Sequence, residues 1–100
     1  MWDKVENGTI IGQKDSENGC IIADEEYKKS CRITLEINGE IAPYSITCGI
    51  YGLMCHTIFA ENEKEGIYKY NAIKEELEIF IDSDNEDEIG EWCNQFATRW

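Results

Sequence analysis

Apolar and polar residues alternate along two neighbouring segments in the middle of the chain. The apolar positions are Cys31, Ile33, Leu35 and Ile37 in the first segment and Tyr44, Ile46, Cys48 and Ile50 in the second. A period of two is typical of half-buried strands. Asn38-Gly39, which lies between the segments, suits the two positive-φ positions of a tight hairpin turn. The pattern therefore predicts an antiparallel hairpin.

A third strand is predicted to follow a turn near Tyr51-Gly52 and to end at Ala60. In the first hairpin, a two-residue loop opposes Ile33 to Tyr44 and brings both apolar sets to one face. In the second hairpin, a turn of two or four residues places Cys55, Thr57 and Phe59 on that same face. The opposite, outer face would then carry Arg32, Thr34, Glu36, Ser45, Thr47, Gly49, Met54, His56 and Ile58. Residues 31–60 are thus predicted to form a three-stranded meander with one apolar face.

The chain before residue 31 has a weaker strand pattern. Two short apolar runs, residues 9–11 and 20–23, predict one or two further strands and a sheet of four or five. The polar stretch from Asp24 to Ser30 is predicted to be a loop.

After Glu61 the apolar period becomes helical. A first stripe consists of Ile67, Tyr70, Ile73, Leu77, Phe80 and Ile81, and a second of Ile89, Trp92, Cys93, Phe96 and Trp100. Asn62 with Glu65, and Ser83 with Glu86, have the spacing of capping boxes. We therefore predict helices over about 63–82 and 84–99. The predicted fold is one α+β domain over residues 1–100, in which an antiparallel sheet precedes two helices.

The cysteines and the first residues indicate a reducing compartment. Five cysteines, an odd number, occur without a C-x-x-C pair, so we expect neither a disulfide framework nor a zinc site, and no cofactor. A bridge between Cys48 and Cys55 is the exception to consider, because the predicted hairpin brings them together. Met1–Glu6 lacks the features of a secretory signal, and polar residues interrupt the uncharged stretch 41–60. We therefore expect a cytoplasmic protein that does not enter the membrane.

Charge narrows the classes of partner. The chain has 21 acidic and 9 basic residues, a net charge of −12, which disfavours direct binding to nucleic acid. Residues 75–91 contain nine acidic and no basic residues. The candidate binding residues are Glu75, Glu78, Asp82, Asp84, Glu86, Asp87, Glu88 and Glu91, with Trp92 and Trp100 as aromatic anchors. Such a run either keeps a helical corner soluble or provides a field for a basic partner.

The outer face of the sheet offers a second candidate site. Its two inner strands carry few charges, so this face is covered by residues 1–23, holds a ligand, or contacts a second copy of the chain. The weak catalytic candidates are His56, the single histidine, and Thr47, which the predicted register places opposite it. No G-x-S-x-G motif or orienting acid accompanies them.

The leading hypothesis is a small, acidic, non-enzymatic protein that engages a basic protein partner through its C-terminal helices. Inhibitors of nucleases and immunity proteins act in this way, and the comparison rests on charge and size alone. The alternatives are a small-molecule-binding or enzymatic site around Thr47 and His56, and a self-associating module that dimerises through the outer face.

Overall fold

The computed structural model describes residues 2–5, 11–12, 19–39, 42–83 and 89–100. Its elements are β1 (Trp2–Lys4), β2 (Cys20–Tyr27), β3 (Cys31–Ile37), β4 (Tyr44–Ile50), β5 (Met54–Ala60), α1 (Glu63–Ser83) and α2 (Ile89–Arg99). The strands form one antiparallel sheet in the order β1-β2-β3-β4-β5. The predicted α+β fold, an antiparallel meander followed by two helices, is confirmed.

The core lies between one face of the sheet and the two helices. The strands contribute Ile33, Leu35, Ile46, Cys48, Ile50 and Ile58, and the helices Tyr70, Ile73, Leu77, Phe80 and Phe96. Burial of each leucine, isoleucine or phenylalanine in this set stabilises the fold by about 1.5–3 kcal/mol relative to an exposed side chain. Because α1 packs across β3, β4 and β5, it supplies most of the helical part of the core.

The register of the first hairpin differs from the prediction. Ile33 opposes Cys48, not Tyr44, so the connection spans residues 38–43. Asn38 has a φ of 58°, and its amide donates to the Pro43 carbonyl at 2.8 Å. A two-residue loop would have placed Pro43 inside β4, where it has no N–H to give to the ladder. The shift is an even number of residues, so the predicted faces of β3 and β4 are retained.

The second hairpin changes the faces of β5. Its loop has three residues, since Ile50 pairs with Met54. This odd length places Met54, His56 and Ile58 on the core face and Cys55, Thr57 and Phe59 on the outer face. The predicted faces of β5 are therefore wrong.

The strand predicted over residues 20–23 is present, but it is longer than predicted. Strand β2 continues from Asp24 to Tyr27, so the predicted loop over Asp24–Ser30 is wrong for these four residues. A further strand, β1, pairs with the end of β2. Of the run 9–11, only Ile11 belongs to the described residues, and it lies in a turn.

The helices follow the predicted pattern with local exceptions. The Glu65 amide donates to Asn62 Oδ1 at 2.8 Å, as the first capping box predicts. Ile67 is 43% exposed, so its predicted place on the buried stripe is wrong. Ser83 ends α1, where its hydroxyl donates to the Phe80 carbonyl, and Glu86 lies outside the described residues. No helix in the described ranges combines the length and the hydropathy needed to cross a membrane.

Candidate functional site

A groove of about 760 Å³ lies between α1 and α2. Its lining residues are Glu76 and Ile79 from α1 and Trp92, Asn94, Gln95, Thr98 and Arg99 from α2. Ile79 is 62% exposed although it is a large aliphatic residue. Exposed apolar surface inside a concave site bordered by polar side chains is typical of a binding site.

The groove follows from the sequence of α1. Residues 70, 73 and 77 turn towards the sheet, so Glu76 and Ile79 fall on the flank of the helix that faces α2. On the other wall, Trp92 stacks between Phe80 and Phe96, with ring centroids 4.1 Å and 5.0 Å away. These aromatic contacts fix α2 against α1 and give the groove a rigid wall.

The Glu76 carboxylate binds the last turn of α2. Its Oε2 accepts a hydrogen bond from Trp100 Nε1 at 2.5 Å, and its Oε1 lies 2.6 Å from Arg99 Nη2. The acidic run 75–91 therefore receives a cation from outside its own sequence. Trp92 and Trp100, the predicted aromatic anchors, are both half-buried by contacts within the chain.

The described acidic candidates fall into two groups. Glu75 is exposed one helical turn before Ile79, and Glu91 is exposed beside Trp92, where it accepts a hydrogen bond from Gln95. Glu75 and Glu91 are thus neighbours of lining residues of the groove, although neither belongs to its lining. Asp82 lies at the β2–β3 turn instead, where Lys28 Nζ is 2.7 Å away. Asp84, Glu86, Asp87 and Glu88 lie outside the described residues.

The Asp82 carboxylate forms an ion pair within the fold. It accepts hydrogen bonds from Lys28 and from the Tyr27 hydroxyl, and these contacts lower the pKa of its carboxyl group. The same contacts raise the pKa of Lys28 and the pKa of Tyr27. The negative charge of Glu78 adds to the increase in the pKa of Tyr27. Asp82 is therefore paired at the β2–β3 turn and is less suited to a partner than Glu75 and Glu91.

The proposed juxtaposition of Thr47 and His56 is wrong, because the two side chains lie on opposite faces. Thr47 opposes Thr57, and their hydroxyl oxygens are 3.3 Å apart. His56 opposes Cys48 on the core face and packs edge-on against Phe96 at a centroid distance of 6.4 Å. The one histidine of the chain therefore lies on the core face and not on the outer face.

A cavity of about 350 Å³ nevertheless opens where the outer face meets the β4–β5 loop. It is lined by the outer-face residues Arg32, Thr34, Thr47, Gly49 and Cys55, by Tyr51 and Gly52 of the loop, and by Cys48, Ile50 and Met54 of the core-face set. Gly49 leaves space between Arg32 and Cys55, its neighbours in the register. The buried Asp24 carboxylate accepts hydrogen bonds from Arg32 Nε at 2.9 Å and Thr34 Oγ1 at 3.1 Å. These contacts fix the orientation of one side of the cavity.

Part of the outer face is already covered. Asp24, Thr34, Glu36 and Ser45 are buried, and the Gly19 amide donates to Glu36 Oε2 at 3.2 Å. This contact agrees with the predicted covering by residues 1–23 as far as Gly19 is concerned. Less of the face is therefore open to a second copy of the chain than the sequence indicated.

The five cysteines are free and differ in exposure. Burial raises the pKa of Cys31 to about 11 and that of Cys48 to about 12. Cys55 is exposed on the outer face, and Cys20 and Cys93 are half-buried. Cys48 and Cys55 lie on opposite faces, so the hairpin does not bring their thiols together.

Sequence reasoning missed most lining residues of the groove, including Glu76, Ile79 and Arg99, and it placed Cys55 on the wrong face. Ile79 lies off the predicted apolar stripe of α1, which is the signal that could have identified it as surface-exposed. Arg99 and Cys55 carry no such signal, because their positions depend on how α2 packs against α1 and on whether the β4–β5 loop has an odd or an even number of residues.

Comparison of the chain with protein-family models, curated proteins and solved structures found no match.

Proposed function

We propose that this protein is a non-enzymatic binding protein that engages a basic protein partner through the groove between α1 and α2, in the manner of an inhibitor or immunity protein. The observation that carries the proposal is the exposed Ile79 in the groove. The exposed Glu75 lies one helical turn from Ile79, and the exposed Glu91 is hydrogen-bonded to the lining residue Gln95. An apolar contact surrounded by carboxylates suits a segment that presents one apolar side chain among lysines and arginines.

The net charge of −12 supports a basic partner at the level of the whole molecule. Such a field raises the rate of encounter with a cation and repels nucleic acid. The separation of Thr47 from His56 supports binding over catalysis, because it removes the candidate base from the outer face. The free thiols, including the exposed Cys55, support a reducing cytoplasm as the compartment.

A charge-matched pair of variants tests the proposal. Glu75→Gln with Glu91→Gln removes two charges beside the groove, whereas Glu61→Gln with Glu63→Gln removes two at the start of α1. The probe is a helical peptide of about four turns with leucines on one face and arginines elsewhere. At low salt we expect the first pair to weaken binding by about tenfold and the control pair by less than about threefold.

The indole N–H signals of the tryptophans locate the binding site by NMR. Trp92 lines the groove, whereas Trp2 lies in β1 and serves as an internal reference. We expect the peptide to shift the Trp92 signal and to leave that of Trp2 in place. Equal weakening by both pairs of substitutions, or a shift at Trp2 alone, contradicts a site in the groove.

The outer cavity favours one second candidate, a site for a small molecule beside Arg32, Thr47 and Cys55. Its support is the cavity of about 350 Å³ and the fixed Asp24–Arg32 pair. A fragment screen by NMR tests it: shifts at Gly49 and Cys55 that disappear in Thr47→Val support a ligand site, and a screen without shifts on this face contradicts one.

A further inference from the structure

Arg99 occupies a position in the groove that a basic partner would also use. Its guanidinium contacts Glu76 at 2.6 Å, and its side chain is 56% exposed, whereas that of Glu76 is 25% exposed. The carboxylate is thus held in the wall of the groove, while most of the arginine remains in water. An ion pair this exposed contributes little to stability, so another cation can replace Arg99 at small cost.

The second contact of Glu76 does not depend on Arg99. Trp100 Nε1 donates to the other oxygen of the carboxylate, and the Trp92 ring stacks between Phe80 and Phe96. Both contacts keep Glu76 and α2 in place when Arg99 moves away. The groove would then present an uncompensated carboxylate beside the apolar side chains of Ile79 and Trp92.

The chemistry around Glu76 favours arginine over lysine. A guanidinium is planar, stacks on aromatic rings and donates several hydrogen bonds, whereas an ammonium acts as a strongly hydrated point charge. One Glu76 oxygen already accepts from the indole of Trp100, so a planar donor can lie beside that ring while it binds the other oxygen.

We propose that the groove receives an arginine of a basic helical segment at Glu76, and that Arg99 is an internal competitor which holds this position in the free protein. This inference rests on the proposed function, and it adds the identity of the recognised side chain and a limit on affinity set by the chain itself. An internal competitor weakens every arginine-bearing ligand by the fraction of time it occupies the site.

Two single substitutions with the same change in charge test the inference. Arg99→Gln removes the competitor, and Lys64→Gln removes an exposed cation from the first turn of α1, so both variants have a net charge of −13 instead of −12. The probes are two helical peptides of about four turns that carry leucines on one face and either arginines or lysines on the other. Dissociation constants are measured by titration calorimetry.

We expect Arg99→Gln to tighten binding of the arginine peptide by about fivefold, the effect of losing one exposed ion pair that competes with it. Lys64→Gln should change binding by less than about twofold, and the lysine peptide should gain less than the arginine peptide. Arg99→Lys keeps the charge at the end of α2 but is a weaker competitor at Glu76, so its affinity for the arginine peptide should lie between those of the wild type and Arg99→Gln. Circular dichroism confirms that each variant retains its helices.

The outcomes separate this inference from the proposed function. Equal tightening by Arg99→Gln and Lys64→Gln, or equal gains for the two peptides, overturns the internal competitor and leaves the groove as the binding site. Weaker binding by Arg99→Gln also overturns it, because Arg99 would then assist the ligand. Absence of binding by wild type and variants alike overturns the proposed function itself.

Discussion

His56 lies on the core face of β5, where its Nε2 atom is buried and has no hydrogen-bond partner among the residues that the structure describes. Its ring contacts Phe96 edge-on, so the residue contributes packing to the interface between the sheet and α2. A buried polar atom without a partner costs about 1–3 kcal/mol. The histidine is therefore a weak point of the core and no longer a candidate base on the outer face.

His56→Leu is expected to stabilise the protein by about 1 kcal/mol. The substitution removes the unpaired nitrogen and keeps a side chain of similar volume, although loss of the aromatic contact offsets part of the gain. His56→Gln is the control, because it retains a polar group at the same position. The measurement is the free energy of unfolding from urea titrations with unchanged slope. A leucine variant less stable than the glutamine variant would contradict this account.

The error over His56 shows what the residue pattern of β5 could not determine. Met54, His56 and Ile58 alternate with Cys55, Thr57 and Phe59, and each set has two apolar members and one polar member. The hydrophobic pattern therefore does not select a face, and the loop length decides it. Strands β3 and β4 carry one apolar and one polar set each, so their faces were predicted correctly although their register was not.

At the scale of elements, contacts between distant segments decide structure that local pattern does not. Residues 24–26 are all acidic and were predicted to lie in a loop. They form strand because their partners come from elsewhere in the chain. Glu25 accepts hydrogen bonds from Tyr70 at 2.7 Å and Lys74 at 2.9 Å, both in α1. Strand propensity is strongly dependent on context, and here the tertiary contacts override it.

The end of α1 depends on the same kind of contact. Its last turn contains no basic residue, although a cation there would complement the helix dipole. Lys28 from the β2–β3 turn supplies this charge to Asp82, and Tyr27 donates to the same carboxylate. The turn and the helix terminus therefore stabilise each other, and the acidic end of α1 is tied to the sheet.

Asp82→Asn is expected to lower stability in a pH-dependent way. The pKa of Asp82 is lowered in the fold, so its contribution is present above its unfolded-state pKa, about 4, and is lost as the pH falls through the folded value. The pKa of Lys28 is raised, so its contribution is present below its unfolded-state pKa, about 10.5, and is lost as the pH rises through the folded value.

The difference in unfolding free energy between wild type and Asp82→Asn should thus be constant from about pH 5 to 9 and should decrease towards zero at lower and at higher pH. Urea titrations across this range measure it. Asp3→Asn is the control, because Asp3 is exposed and forms no ion pair within the described ranges. A difference that persists unchanged below pH 3 would show that Asp82 acts through packing alone.

At the scale of the whole molecule, some carboxylates form ion pairs within the chain and others do not. Carboxylates on the sheet side, such as Glu25 and Asp82, have cations within the chain. Glu75 and Glu91, beside the groove, form no ion pair within the described ranges. Sequence could predict the acidic excess of the helical half, but the internal pairs that cancel part of it depend on tertiary structure.

Neutralising the chain between the helices tests whether the acidic excess serves association. Replacing Glu86, Asp87 and Glu88 with Gln or Asn changes the net charge from −12 to −9, and the matched control replaces Asp3, Glu61 and Glu63 in the same way. If the excess attracts a basic ligand, the first variant should bind the arginine peptide with a rate constant about tenfold lower at low salt. The control should change it much less.

The salt dependence of the association rate and the melting temperature distinguish two roles of the acidic residues: attraction of a basic ligand and maintenance of solubility. Near 0.5 M salt the Debye length is only about 4 Å, so the difference between the two variants in stopped-flow association rates should shrink. If the excess only keeps the protein soluble, the first variant should associate as fast as the control at every salt concentration. Relief of repulsion between like charges would then raise its melting temperature slightly, because neighbouring carboxylates destabilise a folded chain by a few tenths of a kcal/mol per pair. A slower rate at low salt without a loss of thermal stability therefore shows that the charges of these residues attract the basic ligand.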